Sequence, residues 1–221
     1  NNFFSVIIVG SGPAGITTAL KLEQYGIKSL IIEAGGLDSN YENNKDFLGG
    51  NINGFDKDLS VLRDRMFGGT SSLWGGYCTK FEKYQFSSWP IDYSEIEKFD
   101  KECKEILDLK NYHTDFYIKN FSNNFNQYHV RFAKNIRFKE AFYQKIKDSK
   151  NIYLSLNTSF LSFKGSQKKI NYIECIKDKK LFKLKSKFYV LAAGGIENSR
   201  LLLWSQKNNK DLFHNNLPIG N

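Results

Sequence analysis

Val6-Ile7-Ile8-Val9-Gly10-Ser11-Gly12-Pro13-Ala14-Gly15 decides how this chain folds. Four apolar, mostly β-branched residues read as a fully buried strand. They run straight into a G-x-G-x-x-G turn, after which Ile16–Tyr25 has helical spacing. In that pattern Gly10 permits the tight turn, Gly12 lets the backbone approach a pyrophosphate, and Gly15 lets the helix pack close to the strand. Pro13 stands near the helix start, where a missing N–H costs nothing. The first helical turn offers unpaired N–H groups and a positive dipole end to phosphate. Gly26 follows as a C-terminal cap. Lys28-Ser29-Leu30-Ile31-Ile32-Glu33 then reads as a second buried strand ending in an acid. Glu33 stands 18 positions after Gly15, close to the spacing at which a carboxylate meets adenosine ribose hydroxyls. Strand, turn, helix, strand and acid in this order predict a dinucleotide site on an α/β fold.

The composition suits a packed core, with 41% hydrophobic and 15% aromatic residues among 221. No apolar run reaches the roughly 18 residues of a membrane span, and no secretory signal pattern is visible. A cytoplasmic location is the expectation, in a chain that begins Asn-Asn rather than Met. The net charge of +9 comes from lysines spread along the chain and interleaved with acids. The densest group, Lys177 to Lys187, alternates with Leu181, Phe182 and Leu184 like the solvent face of a strand. No nucleic-acid motif accompanies the charge, so a solvated basic surface is expected and no nucleic-acid partner. Cys78, Cys103 and Cys175 are far apart and lack metal-ligand spacing, so neither zinc nor a disulfide framework is indicated. His113, His129 and His214 are equally scattered.

Further along, 35–58 is rich in Gly, Asn and Asp, with turn signals at Gly49-Gly50-Asn51 and Asn53-Gly54. Arg63-Asp64-Arg65-Met66-Phe67-Gly68-Gly69-Thr70-Ser71-Ser72-Leu73-Trp74-Gly75-Gly76 differs in kind. Two glycine pairs frame a Thr/Ser run and a Trp, with arginines upstream. Such a turn makes an anion-binding concavity, and Thr70 and Ser71 carry hydroxyls suited to phosphate. Met66, Phe67, Leu73 and Trp74 are too apolar for a surface loop, which predicts a buried cradle. Ser94-x-x-Glu97 forms a capping box that opens a helix to about Leu109. Its apolar face would place Cys103 in the core. Residues 110–136 read as irregular, and Phe138–Lys147 as a helix. Ile152–Leu156, Ser159–Phe163, Ile170–Ile176 and Leu181–Leu184 are short strands of a meander. Phe188–Leu191 is a buried strand running into Ala192-Ala193-Gly194-Gly195, followed by a helix over Glu197–Ser205.

This arrangement resembles the two-dinucleotide-binding-domain flavoproteins, and among them the glucose–methanol–choline (GMC) oxidoreductases. Four stretches carry the resemblance: Val6–Gly15 with Leu30–Gly35, the glycine loop Gly68–Gly76, Trp89-Pro90-Ile91, and Leu191–Leu203. Trp89-Pro90-Ile91 and the Trp before Gly75-Gly76 point to the bacterial sugar-dehydrogenase-like subgroup. The fold implied is an α/β, FAD-binding Rossmann-like parallel sheet with a β-meander, incomplete at the C-terminus. Residues 1–221 would form the N-terminal part of a GMC-type FAD-binding domain, with 83–150 as a helical or irregular insertion.

The resemblance also assigns roles. Gly10, Gly12, Pro13, Ala14 and Gly15 would hold the FAD pyrophosphate, and Glu33 with Ala34 the adenosine ribose. Backbone near Thr158–Leu161 would border the adenine. Arg65, Gly68, Gly69, Thr70, Ser71, Trp74 and Gly75 would lie along the pyrophosphate, ribityl chain and isoalloxazine. Ala193 and Gly194 would close the site. Leu73 stands where some relatives carry a flavin-linking His, so non-covalent FAD is implied. The activity implied is oxidation of an alcohol, a sugar or polyol by analogy, with hydride passing to flavin N5. The resemblance names no electron acceptor. It puts the catalytic His and its partner in a C-terminal part beyond Asn221, so no catalytic residue is carried over. The rivals are another flavoprotein class, such as a non-redox sugar mutase or an NAD(P)H-using reductase, and a non-catalytic nucleotide-binding fragment. A second G-x-G-x-x-G would favour the reductase, and this chain has none.

Overall fold

Strand β1 (Val6–Val9) is buried at all four positions, as expected of a parallel strand covered on both faces. The computed structural model describes residues 4–47, 59–109, 118–122, 125–128, 130–166, 169–213 and 219. The predicted turns at 49–54 and the three histidines lie outside these. Helix α1 (Pro13–Gln24) begins three residues before the expected Ile16, because Gly12 is the N-cap and Pro13 takes the first helical position. It closes on Gly26, whose φ of +67° is the left-handed conformation that ends helices. Strand β2 (Ser29–Ile32), also buried throughout, runs parallel to β1 with Val6 opposite Ser29. A short helix α2 (Tyr41–Asn44) follows, capped by the Asn40 side chain.

The chain divides into two compact units, Asn1–Leu73 with Arg137–Asn221, and Trp74–Ile136. The second contains β3 (Tyr77–Cys78), α3 (Tyr93–Glu97), α4 (Asp100–Ile106), β4 (Ile118–Ser122), β5 (Phe125–Tyr128) and β6 (Arg131–Phe132). Phe86 is its buried aromatic centre, with the rings of Phe81, Trp89 and Tyr93 against it. The single helix expected from a Ser94 capping box is corrected here. Asp92 is the N-cap, and it accepts from both the Ser94 amide and the Ser94 hydroxyl at 2.8 Å. A carboxylate that takes both donors leaves the hydroxyl no capping role. The helix also breaks at Lys98–Phe99. Two short helices present no continuous apolar stripe, so Phe99 and Cys103 are exposed rather than core. The stretch expected to be irregular holds an antiparallel pair, β4 with β5, and β6 pairs with β3. Strands of two to five residues rich in Asn show too little alternation to be read in advance.

The first unit resumes with α5 (Phe138–Lys147), whose buried Phe138, Phe142 and Ile146 recur every fourth residue. Strand β7 (Ile152–Ser155) then pairs parallel with β2. It was expected in the meander, but the intervening helix supplies the crossover that a parallel neighbour requires. The antiparallel meander is therefore β8 (Ser159–Ser166), β9 (Lys169–Lys177) and β10 (Lys180–Leu184). Strand β11 (Phe188–Leu191) returns to pair with the other side of β1, giving the parallel order β11-β1-β2-β7. The expectation that β11 is buried fails: among the described residues it lies at the edge of the sheet, with Phe188 65% exposed and the next three residues half-buried. Helix α6 (Gly195–Asn208) follows.

Ile7, Val9, Leu30 and Ile32 on one face of the parallel sheet pack with Phe160, Phe163, Ile173 and Cys175 of the meander and with Leu201 of α6. Helix α6 is stitched to β8 where the Phe163 N–H donates to the Ser205 hydroxyl at 3.1 Å. On the opposite face Ile8 lies beneath Gly15 of α1. Burial pushes the Cys175 thiol up to about 12, so it serves as a small core residue. Truncating Ile173, fully buried between sheet and meander, to Ala should cost about 2–5 kcal/mol in urea unfolding. Leu181→Ala, on the exposed side of β10, should stay within about 0.5 kcal/mol.

Candidate functional site

The C-terminal ends of the parallel strands open into a cavity of about 520 Å3, the place where ligands bind in open α/β sheets. Gly10, Gly12, Pro13 and Ala14 form one wall, Ile32, Glu33 and Ala34 the next. Arg63, Asp64, Arg65, Gly69 and Thr70 come from the following loop, Thr158–Leu161 from the start of the meander, and Ala192–Gly194 with Glu197 and Arg200 from the turn into α6.

The glycine turn is built on close backbone contact. A Cβ on Gly15 would lie 2.0 Å from the Gly10 carbonyl oxygen, so only glycine lets the first helical turn sit on the strand end. Gly12 has open space where a Cβ would be and no side chain to cap the helix. The amides of the first turn are thereby left for a ligand. Gly35 is held as tightly: its Cβ would meet the Arg65 carbonyl at 2.0 Å, and a bridge joins Gly36 to Met66. This contact brings the arginine segment to the acid at the end of β2. Gly69 lies against Gly12, 3.0 Å from its Cα to a built Cβ.

The loop expected as one cradle is shared between the two units. Gly69–Ser72 forms a 3-10 turn in the first, whereas Trp74 and Gly75 belong to the second. Thr70 is exposed on the cavity wall. Ser71 turns inward: its hydroxyl donates to the Gly68 carbonyl at 2.7 Å and accepts from the Phe138 N–H at 3.1 Å. Trp74 donates its indole N–H to the Ile136 carbonyl.

The cavity wall also carries charged residues that sequence reading gave no role in the site, Arg63, Asp64, Glu197 and Arg200, beside Arg65, which it did. Glu197, in the first turn of α6, accepts from Arg63 at 3.1 Å and from the Arg200 Nε at 3.0 and 3.1 Å. Arg63 and Glu197 are both largely buried and lie 134 residues apart, a pairing that spacing cannot reveal. Burial pushes the Glu197 carboxyl up, but the hydrogen bonds and charges of Arg200 and Arg63 outweigh it and hold it below the usual carboxylate value. Arg65 donates to the Asn43 carbonyl at 3.1 Å and to Asp46 at 2.9 Å. Asp64 is anchored by the hydroxyls of Ser39 and Ser72, both at 2.7 Å. Among the described residues no cluster of His, Cys, Asp or Glu could hold a metal ion. No described helix is long and apolar enough to cross a membrane.

Residues 4–43 match the family model of an FAD binding domain. No curated protein matches the chain in sequence. Among solved structures, the fold is similar to pyridoxine 4-oxidase from Mesorbium loti, at 16% identity and a TM-score of 0.54 over 90% of this chain and 51% of the other. It is similar to an FAD-dependent oxidoreductase from Chaetomium thermophilum, at 15% identity and a TM-score of 0.64 over 90% of this chain and 47% of the other. A fungal aryl-alcohol oxidase gives 13%, a TM-score of 0.63, and 91% and 47% coverage. The chain thus spans about half the length of the structures it matches. It carries an FAD-binding α/β fold of the kind found in FAD-dependent oxidoreductases, the fold class that the resemblance to the GMC family implied.

Gly15→Ala should separate the helix from the strand and abolish FAD binding measured by flavin fluorescence, with a stability loss at or above the usual overpacking range of about 1–3 kcal/mol. Glu197→Gln should destabilise the chain at neutral pH. Because the folded pKa of Glu197 is depressed, its contribution is present above the ordinary glutamate pKa of about 4.3 and is lost as pH falls through the folded value. Urea unfolding of both proteins across that range should show the difference shrinking toward acid.

Proposed function

We propose that this chain holds FAD in the cavity at the strand ends, non-covalently, within an oxidoreductase that acts on the CH–OH group of an alcohol. The observation that carries the reading is the convergence of the Gly10–Ala14 turn, Glu33, Thr70 and Ala193–Gly194 on one cavity. The donor set fits the cofactor. A glycine turn at a helix N-terminus suits a pyrophosphate, a carboxylate suits a ribose, and Gly12 leaves space for close approach. Gly10, Gly12, Pro13, Ala14 and Gly15 would hold the pyrophosphate, with Arg65, Gly68, Gly69 and Thr70 along it, while Ser71, its hydroxyl held by Gly68 and Phe138, supports the loop from behind. Glu33 and Ala34 would take the adenosine ribose, and Ala193 and Gly194 would close the far side. Trp74 and Gly75 are assigned to the flavin end on the resemblance alone. Bound FAD would supply the redox chemistry by accepting a hydride from the alcohol carbon.

The chain's own contribution is binding and electrostatics. The α1 amides and nearby arginines offset the diphosphate charge, and the carboxylates beside those arginines fix their positions. Alcohol oxidation is supported by relatives described as a pyridoxine 4-oxidase and an aryl-alcohol oxidase. The choice of a sugar or polyol rests on the Trp89-Pro90-Ile91 and Trp74-Gly75-Gly76 resemblance to the sugar-dehydrogenase-like subgroup. The product of the complete gene should be yellow when purified and release its flavin on denaturation. Anaerobic addition of an aldose or polyol should bleach the flavin absorbance bands. A colourless protein that binds NAD would overturn the FAD reading, and a flavin that NADPH bleaches but no alcohol does would replace the oxidoreductase class.

A further inference from the structure

Glu33 enters the cavity with most of its hydrogen-bonding capacity already used. It is 7% exposed. Its Oε2 accepts from the Ser11 N–H at 2.9 Å and from the Ser11 hydroxyl at 2.7 Å, and its Oε1 accepts from the Gly35 N–H at 2.9 Å. A carboxylate offers about four lone-pair positions. Three of them are met by the chain itself, and the remaining one is on Oε1.

Ser11 is the variable residue inside the glycine motif. It is fully buried and does not line the cavity. Each of its polar groups is committed to another part of the site. The N–H and hydroxyl go to Glu33, and the carbonyl accepts from the Gly68 N–H at 3.0 Å. Its hydroxyl therefore fixes the orientation of the Glu33 carboxylate relative to the phosphate turn.

We infer that Ser11 is a positioning residue of the adenosine subsite: by occupying Oε2 of Glu33 it leaves Glu33 to accept from the cofactor ribose through a single hydroxyl. A grip on two hydroxyls would need a free acceptor position on each oxygen, or a third donor crowded onto Oε2. The inference rests on the reading of the cavity as an FAD site. It adds that recognition of the ribose is one-sided and depends on a residue that never touches the cofactor.

The test is calorimetric titration of the flavin-free product of the complete gene with ADP, 2′-deoxy-ADP and 3′-deoxy-ADP, repeated with Ser11→Ala. In the wild-type protein one deoxy analogue should bind about tenfold or more weakly than ADP, the loss of one hydrogen bond to a charged group. The other should bind within about twofold of ADP. Ser11→Ala should weaken ADP about tenfold and shrink the difference between the two analogues, which a merely structural loss would not do. Equal losses for both analogues, or no loss for either, would overturn the single-hydroxyl grip, and that comparison needs only the wild-type protein. A Ser11→Ala protein with wild-type affinities would overturn the role of Ser11. A wild-type protein that binds no ADP would overturn the FAD reading, and this inference with it.

Discussion

A buried negative charge holds the candidate site together. Removing a carboxylate from water carries an effective penalty of several kcal/mol, and Glu33 meets it with three short donors, two from Ser11 and one from Gly35. Hydrogen bonds to a charged group are worth about 1.5–3 kcal/mol each, so the set is of the size needed to offset the penalty. The consequence is geometric. Ser11 lies in the turn after β1, Gly35 lies just past β2, and both are pinned to one carboxylate. Gly35 presses on the backbone of Arg65 and the Ser11 carbonyl receives Gly68, so the arginine segment and the glycine loop are placed by the same anchor.

Much of this could be read before the structure was known, and the reason is local. The β1–α1–β2 unit announces itself through a buried strand, a turn that only glycine fits and an acid at a set distance, all within the 28 residues from Val6 to Glu33. Helix α5 was equally legible, because its apolar residues recur with the helical period over ten positions. Most of what failed depended on partners distant in sequence. Strand β7 looks like the meander strands that follow it, and only its pairing with β2 assigns it to the parallel sheet. The burial of β11 was overestimated because an apolar run does not tell a central strand from an edge. The cap of α3 moved to Asp92 because a carboxylate two residues upstream captured the serine that the Ser94-x-x-Glu97 spacing favoured.

The charge pattern shows the same division. A net charge of +9 over the chain says little about the cavity, where Arg63, Arg65 and Arg200 are matched by Glu197 and Asp46. The guanidinium groups of Arg63 and Arg65, partly buried and held by carboxylates, keep fixed directions. For an anionic ligand, local orientation of these groups counts for more than the surplus of surface charge, which salt screens within about 8–10 Å.

The position of β1 between β2 and β11 also governs how the domain can be assembled. One neighbour of β1 begins at Ser29, whereas the other begins at Phe188, opposite Val6. On the ribosome β1 must therefore wait, with one edge unsatisfied by its eventual partner, until the residues of β11 have emerged. Pairings across such separations bear the loop-closure entropy before any contact rewards it, which makes folding slow. The strand that carries the phosphate turn is thus synthesised long before the partner that completes its pairing.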